Sequence, residues 1–175
     1  MGSSMVESLN QIVDVMTNDA NPGFDPRTSR RFETTALQGL VITEATPGFV
    51  KARLKVTPCI TNRLDTLHGG AMATIVDVVT TLALATISPD RLGVSININT
   101  TYIRPVPVGD YAIIDASVTR VGKSVANLEA CIKIERNNAV ACKGTHLKSL
   151  DIPKSLWTDP VVGDGPFNSD GRAKL

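Results

Sequence analysis

The sequence predicts an α+β fold in which an antiparallel sheet of about six strands wraps around one long central helix. Two observations support this prediction. Residues 71–87 are apolar on nearly every side, which is typical of a buried helix. The segments before and after this run alternate apolar and polar residues with a period of two, which is typical of strands that pack one face on a core.

Periodicity and turn residues set the elements in order. Apolar residues at helical spacing predict a short amphipathic helix over about residues 6–18, followed by a polar loop over residues 24–33. Val94, Ile96 and Ile98 alternate with polar residues, so they are predicted to face the core and Ser95 to point away from it. The predicted strands cover about residues 37–44, 49–57, 94–99, 112–118, 126–134 and 139–149.

The chain is predicted to divide into three parts. Residues 1–36 hold the N-terminal helix and loop, and residues 37–150 form the folded domain. Residues 151–175 are predicted to be a flexible tail, because they are rich in Pro and Gly and carry few apolar side chains after Val162. At 175 residues the chain is large enough for one domain with a substantial core.

Composition and charge exclude several function classes. The net charge is +1 and the aromatic residues are four Phe, two Tyr and one Trp, so no nucleic-acid surface is expected. Asp77 and several threonines interrupt the longest apolar run, so no membrane span is expected. Three scattered Cys and two His predict no metal site, and they are typical of reduced thiols in an intracellular protein.

One charged residue, Asp77, lies near the middle of the apolar helix. A carboxylate buried in such a helix is costly unless it is compensated, so folding alone would favour Leu or Ala at this position. Thr74, Thr80 and Thr81 lie three or four residues away and extend Asp77 into a polar stripe. We therefore predict a chemical role for Asp77; the alternative is that it caps a neighbouring loop.

A His68-Gly69-Gly70 motif precedes the helix. Backbone N–H groups at a helix start have no partner within the helix and lie at the positive end of its dipole. Such a start can bind a developing negative charge, as an oxyanion hole does. The alternative is that the two glycines only allow a tight entry into the helix.

The spacing of Gly69 and Asp77 predicts how the chain assembles. The two residues are eight positions apart, which separates them by about 12 Å along one helix. One scissile carbonyl would have to lie within about 3 Å of both. If both act in one reaction, one of them must come from a second subunit, so we predict a homodimer or a dimer of dimers with equivalent interfacial sites.

The last three residues, Ala173-Lys174-Leu175, resemble the peroxisomal targeting tripeptide of the Ser-Lys-Leu kind, and Arg172 adds a basic residue before them. A peroxisomal import receptor needs such a signal on an accessible tail, which is what residues 151–175 are predicted to form. We therefore predict a peroxisomal protein; the alternative is a solvated tail without a signal and a cytoplasmic protein.

Several short segments together carry a family resemblance. They are Asn62, Leu67-His68-Gly69-Gly70, Asp77, Gly93-Val94-Ser95, Asn99-Thr100-Thr101-Tyr102, Gly122-Lys123 and Gly144-Thr145-His146. With them, residues 37–150 resemble the hotdog-fold acyl-CoA thioesterases of the PaaI-like type, and in particular the small eukaryotic thioesterases similar to thioesterase superfamily member 2. The resemblance implies a hotdog fold and hydrolysis of a coenzyme A thioester to a free acid and CoA.

The resemblance also implies roles for five residues. The Gly69 N–H would stabilise the oxyanion, and Asp77 of the partner subunit would act as general base or as nucleophile. Asn62 and His68 would orient the carbonyl or the water, although Asn62 could equally be a loop residue that bonds its own backbone. Ser95 would position the attacking water. No cofactor is expected, because water and a carboxylate suffice for this chemistry.

The phosphates of an acyl-CoA substrate require basic groups. Six residues in the second half of the chain are candidates because they are predicted at strand ends or turns: Arg104, Arg120, Lys123, Lys143, His146 and Lys148. Lys123 is the first choice, since a Gly-Lys turn offers both a backbone N–H and an ammonium. The alternative for each is an ordinary solvated charge.

Two other functions stay open at this point. A hydratase or dehydratase of the same fold would use His68 and Asp77 as an acid–base pair on enoyl or 3-hydroxyacyl thioesters. A non-catalytic acyl-CoA binding protein would hold the ester without cleaving it. Fold alone does not separate these activities.

Overall fold

Residues 4–17 and 32–151, which a computed structural model describes, form one antiparallel six-stranded sheet and three α-helices. The helices are α1 Met5–Thr17, α2 Phe32–Ala36 and α3 Gly69–Ala85; a 3₁₀ turn covers Pro58–Ile60. The strands are β1 Val41–Thr46, β2 Phe49–Lys55, β3 Val94–Tyr102, β4 Tyr111–Val121, β5 Val125–Ile134 and β6 Val140–Ser149. Their order in the sheet is β1-β2-β4-β5-β6-β3. The α+β prediction is confirmed.

The helix starts differ from the prediction. α3 begins at Gly69, two residues earlier than predicted, because the His68 side chain caps it. The segment predicted as a polar loop over residues 24–33 runs into α2, and residues 37–40 form a turn instead of opening the first strand. Most of that loop, and the predicted tail with its Ala173-Lys174-Leu175 signal, lie outside the described residues. Within the described ranges, no helix is long and apolar enough to cross a membrane.

The core lies between α3 and one face of the sheet. The inward residues of β2, β4 and β5 are buried: Val50, Ala52, Leu54, Ala112, Ile114, Ala116, Ala126, Leu128, Ala130, Ile132 and Ile134. In β4 and β5 these buried residues recur at every second position, as the alternation in the sequence predicts, and Val118 near the end of β4 is only partly buried. At Gly144 on β6 a Cβ would lie 2.6 Å from Cγ1 of Val76, so only a glycine allows α3 and β6 to approach this closely.

Strand β3 forms an edge of the sheet, and it departs from the predicted alternation. Val94 is 44% exposed and Ile96 is 54% exposed, so the prediction that they face the core is wrong for the single chain. A β-bulge between Ser95 and Asn97 leaves Ile96 without a partner on β6. Because the bulge adds one residue, Ser95 and Ile98 both face α3, whereas strict alternation would put them on opposite faces.

Candidate active site

Helix α3 begins at a capped but incompletely satisfied terminus. Nδ1 of His68 accepts a hydrogen bond from the Gly70 N–H at 2.9 Å. Because Nδ1 is the acceptor, a neutral His68 ring carries its proton on Nε2. Among the described residues, no acceptor lies against the Gly69 N–H. The helix start therefore presents a free N–H at Gly69, beside an exposed imidazole.

Tyr102, at the end of β3, holds this helix start in place. Its hydroxyl donates to the Gly69 carbonyl at 3.0 Å, and a Cβ on Gly69 would lie 3.3 Å from the Tyr102 ring. The phenol thus covers the backbone from which the free N–H extends. Sequence reasoning gave Tyr102 no role beyond the family resemblance, because nothing local links it to a glycine 33 residues away.

Asp77 lies on the side of α3 that the single chain leaves partly open. Its side chain is 41% exposed, so the prediction of a buried carboxylate is wrong for one chain. It lines a largely apolar cavity of about 150 Å³, to which α1 contributes Ile12 and Met16 and the segment after α3 contributes Leu92. An apolar cavity of about this volume can hold a benzene-sized group. The carboxylate is therefore accessible to a small molecule with an apolar part.

A second cavity, of about 220 Å³, adjoins the other end of the site. It lies beside the start of α3 and is lined by residues that include Phe32, Cys59, His68 and Gly70. Both the helix start and the carboxylate thus open onto space that a ligand can enter.

A chain of four hydrogen-bond contacts joins Asp77 to the interior. Ser95 Oγ lies 3.0 Å from Oδ1 of Asp77 and 2.9 Å from Nε2 of His146. Nδ1 of His146 lies 2.7 Å from Oγ1 of Thr80, which in turn lies 2.7 Å from the Val76 carbonyl oxygen. Ser95 was predicted to position water from a place off the core face; the bulge instead turns it directly onto Asp77.

This chain of contacts can take up one more proton as a hydrogen-bond donor. With Asp77 ionised and His146 neutral, the two hydroxyls and the imidazole bring three protons to four contacts. One contact therefore lacks a proton, and a proton taken up by Asp77 or His146 would complete the chain. The arrangement suits a carboxylate that accepts a proton during a reaction.

His146 and Lys148 are not placed where the sequence predicted them. Both were expected at strand ends as phosphate ligands, but they lie on the inward face of β6 and are 1% and 4% exposed. Burial, reinforced by the charge of Lys148, lowers the pKa of His146 to about 4, while Asp77 opposes this shift. Burial also lowers the pKa of Lys148, and Asp77 again opposes the shift. The placement of both residues is therefore corrected: they lie behind the carboxylate, not on an outer surface.

The predicted threonine stripe is divided between two surroundings. Thr80 is buried beside His146, whereas the Thr81 hydroxyl donates to the Asp77 carbonyl at 2.7 Å and accepts from Nζ of Lys148 at 2.9 Å. Thr74 donates to the Gly70 carbonyl at 2.9 Å. Thr80 and Thr81 therefore connect α3 to two buried basic residues of β6, His146 and Lys148.

Asn62 is occupied by its own loop. Its Oδ1 accepts from the backbone N–H groups of Leu64 and Thr66, and its Nδ2 donates to the Thr66 hydroxyl at 3.0 Å. This corresponds to the loop role left open by the sequence. An amide has two N–H donors, so one of them is left for a ligand.

The four remaining basic candidates do not form one patch in the single chain. Arg104 donates to the Val140 carbonyl at the start of β6, while Lys123 lies in the turn that contacts the end of β6 through Ser124 and Leu150. A strand of ten residues spans roughly 30 Å. Arg120 lies toward the Lys123 end and Lys143 toward the Arg104 end. No group of three or more His, Cys, Asp or Glu within residues 4–17 and 32–151 could hold a metal ion.

Comparison with known proteins places these features in a family. The model of the thioesterase superfamily matches residues 64–141, a segment that includes Gly69, Asp77 and Ser95. Mouse acyl-coenzyme A thioesterase 13 is 32% identical over 148 residues, which are 85% of this chain and 98% of that protein. The chain belongs to the thioesterase superfamily. The prediction that it is an enzyme of this class is confirmed.

Solved structures of other proteins superpose on this thioesterase and share its fold. Zebrafish thioesterase superfamily member 2 superposes with a TM-score of 0.73 at 30% identity, covering 85% of this chain and 99% of that one. The PaaI protein of E. coli superposes with a TM-score of 0.58 at 19% identity, covering 63% and 82%, and shows the shared fold alone. The hotdog fold and the resemblance to PaaI-like thioesterases are confirmed.

Proposed function

We propose that this thioesterase hydrolyses coenzyme A thioesters to a free acid and CoA. The observation that carries the proposal is an accessible Asp77 carboxylate, held by Ser95 at 3.0 Å beside an apolar cavity. The mouse relative is named an acyl-coenzyme A thioesterase, which supports the same substrate class. The apolar cavity would receive the acyl group.

The Gly69 N–H is proposed to hold the thioester oxygen. As negative charge develops on that oxygen, the free donor at the helix start stabilises it, and loss of such a donor typically lowers the rate about a hundred- to a thousand-fold. His68 and Asn62 each have a further N–H that these loop contacts do not use, and they would orient the carbonyl or the water.

Asp77 has two chemically complete roles. As general base it takes a proton from water while the water oxygen bonds to the carbonyl carbon; the C–S bond then breaks and the proton passes to the CoA thiolate. As nucleophile its own oxygen bonds to that carbon, the C–S bond breaks and the CoA thiolate leaves; water then cleaves the anhydride to the free acid and the Asp77 carboxylate, and the proton released passes to the thiolate. One turnover in ¹⁸O-labelled water tests the nucleophile in one direction: ¹⁸O on Asp77 after turnover requires an anhydride that water opened at the Asp77 carboxyl carbon, whereas general-base catalysis leaves all of the ¹⁸O in the product acid.

The complete site is proposed to form between two subunits. Gly69 and Asp77 are eight residues apart in α3, about 12 Å along the helix, so one carbonyl does not reach both in one chain. The exposed edge strand β3, with Val94 and Ile96, supports an interface beside Ser95. Whether two or four chains assemble is a matter for light scattering.

Mixed dimers test the shared site directly. Gly69→Pro removes the N–H at the first helical position, where proline is tolerated, and the extended His68 backbone (φ −64°, ψ 138°) suits a following proline. Gly69→Ala is the matched control, since it adds the same contact with Tyr102 but keeps the N–H. Equal amounts of Gly69→Pro and Asp77→Asn chains, each inactive alone, should regain about a quarter of wild-type activity. No recovery after verified subunit exchange would place both groups of a working site in one chain.

The first measurement of function is thiol release from short, medium, long and aromatic acyl-CoAs, comparing wild type with Asp77→Ala. Release that collapses in a folded Asp77→Ala protein supports the proposal. Addition of water to an enoyl-CoA without thiol release would instead identify a hydratase. Tight binding of the ester without either reaction would identify a binding protein.

For the CoA phosphates we propose Lys123 and Arg120 at one end of the sheet, with Arg104 and Lys143 as the alternative pair at the other. Lys123→Ala should raise KM for an acyl-CoA and leave KM for the matching acyl-pantetheine, which lacks the nucleotide, unchanged. An equal effect on both substrates would argue against phosphate binding by Lys123; the same comparison with Arg104→Ala tests the other end.

Peroxisomal import is proposed from the Ala173-Lys174-Leu175 terminus. A fluorescent protein fused to the N-terminus should bring the chain into peroxisomes, and deletion of Leu175 should leave it in the cytosol. A cytosolic signal from the intact chain would reject import.

A further inference from the structure

Lys148 is a buried ammonium group directly behind the candidate active site. Its side chain is 4% exposed on the inward face of β6, between Ala126 on β5 and Ser95 on β3 in the sheet register. Lysine is almost never fully buried unless a partner compensates its charge. The position therefore calls for an explanation in terms of what the ammonium contacts.

The contacts of Lys148 lead to the helix segment that carries the carboxylate. Nζ of Lys148 donates to Oγ1 of Thr81 at 2.9 Å, and Thr81 donates its own proton to the Asp77 carbonyl at 2.7 Å. Thr81 lies one helical turn after Asp77. Ser95, which pairs with Lys148 across the sheet, donates to the Asp77 carboxylate itself. Lys148 thus touches both elements that hold Asp77.

The described surroundings of Asp77 hold one cation besides the histidine. From α1 and from the segment after α3, the cavity is lined by the apolar side chains of Ile12, Met16 and Leu92. From β6, two titratable groups face Asp77: His146, with Nε2 at 3.5 Å, and Lys148. Because burial and Lys148 together lower the pKa of His146 to about 4, this imidazole is neutral near pH 7. Burial lowers the pKa of Lys148 and Asp77 opposes that shift, so the carboxylate and the Lys148 amine favour each other's charged form.

We propose that Lys148, anchored on Thr81 and paired with Ser95, is a positioning residue whose charge favours the ionised form of the Asp77 carboxylate. The inference rests on the proposed function of Asp77. It gives Lys148 an electrostatic task inside the fold in place of the phosphate contact predicted from the sequence.

The test follows protonation of Asp77 and catalysis separately. In Lys148→Met, which has similar length and no charge, the ¹³C titration midpoint of the Asp77 carboxyl should rise by about one pH unit. The pH at the midpoint of the acid limb of the kcat/KM profile for thiol release should increase by a similar amount. Lys148→Arg, which keeps the charge, should return both midpoints toward wild type, a rescue that a merely structural role would not require.

Each outcome decides the inference. An unchanged Asp77 titration midpoint in folded Lys148→Met overturns it, whatever the activity. If the midpoint is raised in Lys148→Met but the wild-type protein cleaves no thioester, the electrostatic role of Lys148 is supported and the proposed function is rejected. If Lys148→Met does not fold, Thr81→Val provides the second variant: it removes the acceptor that anchors Nζ, and it should move the midpoint in the same direction by a smaller amount. No movement in Thr81→Val would then overturn the inference.

Discussion

The Ser95 hydroxyl lies 3.0 Å from Oδ1 of Asp77, so the edge strand β3 supplies a hydrogen bond to a carboxylate on α3. A hydrogen bond to a charged group contributes about 1.5–3 kcal/mol. Ser95→Ala should therefore lower kcat for thiol release about ten- to a hundredfold, and because it also removes the contact with buried His146, its unfolding free energy is measured alongside. Ser117→Ala on β4, whose hydroxyl contacts Glu129 on the exposed side of the sheet, is the control. Wild-type kcat in Ser95→Ala would show that this contact has no part in catalysis.

The sequence alone relates those candidate residues whose signal is local. His68, Gly69 and Asp77 lie within one helix and its cap, so periodicity and the glycine pair suffice to relate them. The partners of Asp77 depend on pairing between β3 and β6, whose contacting residues are about 50 positions apart. Because a bulge in that pairing reverses the alternation, Ser95 was predicted on the wrong face.

The basic residues illustrate the same limit. His146 and Lys148 carry ionisable side chains, and a lysine in particular is almost never fully buried. Only the register of β6 against β5 and the position of α3 show that they point inward. The close approach at Gly144 has no local signal either, since the Val76 side chain that fills the space is on a distant helix.

Gly144 offers a test of how tightly α3 packs on the sheet. In Gly144→Ala the new methyl would lie 2.6 Å from Cγ1 of Val76, so helix and strand must move apart. Overpacking of this kind costs about 1–3 kcal/mol, measurable as a lower midpoint in urea unfolding. In a Val76→Ala background, which removes the two methyl groups, the same change should cost much less. Equal costs in the two backgrounds would show that the strain lies elsewhere.

His68 is expected to contribute to stability by capping α3 and, separately, to catalysis through its Nε2–H. His68→Ala removes the acceptor for the Gly70 N–H, and loss of such a cap costs about 1 kcal/mol of stability. His68→Asn keeps a capping acceptor but, being shorter, does not place a donor where Nε2–H lies. We expect Asn to restore the unfolding free energy without restoring kcat. Full recovery of kcat in His68→Asn would reduce the role of His68 to capping.

The buried imidazole of His146 predicts a specific dependence of stability on pH. Its pKa is lowered from 6.5 to about 4, first by burial and then by Lys148. The unfolded chain therefore takes up this proton near pH 6.5, whereas the folded chain takes it up only near pH 4. Stability from this group is present above pH 6.5 and falls as the pH drops toward 4. A shift of this size corresponds to a loss of about 3 kcal/mol across the window.

Urea unfolding at several pH values between 4 and 7 measures this loss. His146→Gln removes the titrating group, so the unfolding free energy of wild type minus that of the variant should decrease steadily as the pH falls. His68→Gln is the matched variant at the exposed histidine, and it controls for the loss of an imidazole as such. A difference between wild type and His146→Gln that stays constant from pH 7 to pH 4 would contradict the lowered pKa. It would also remove the reason to assign the positive charge behind Asp77 to Lys148 alone, since a protonated His146 would then share it.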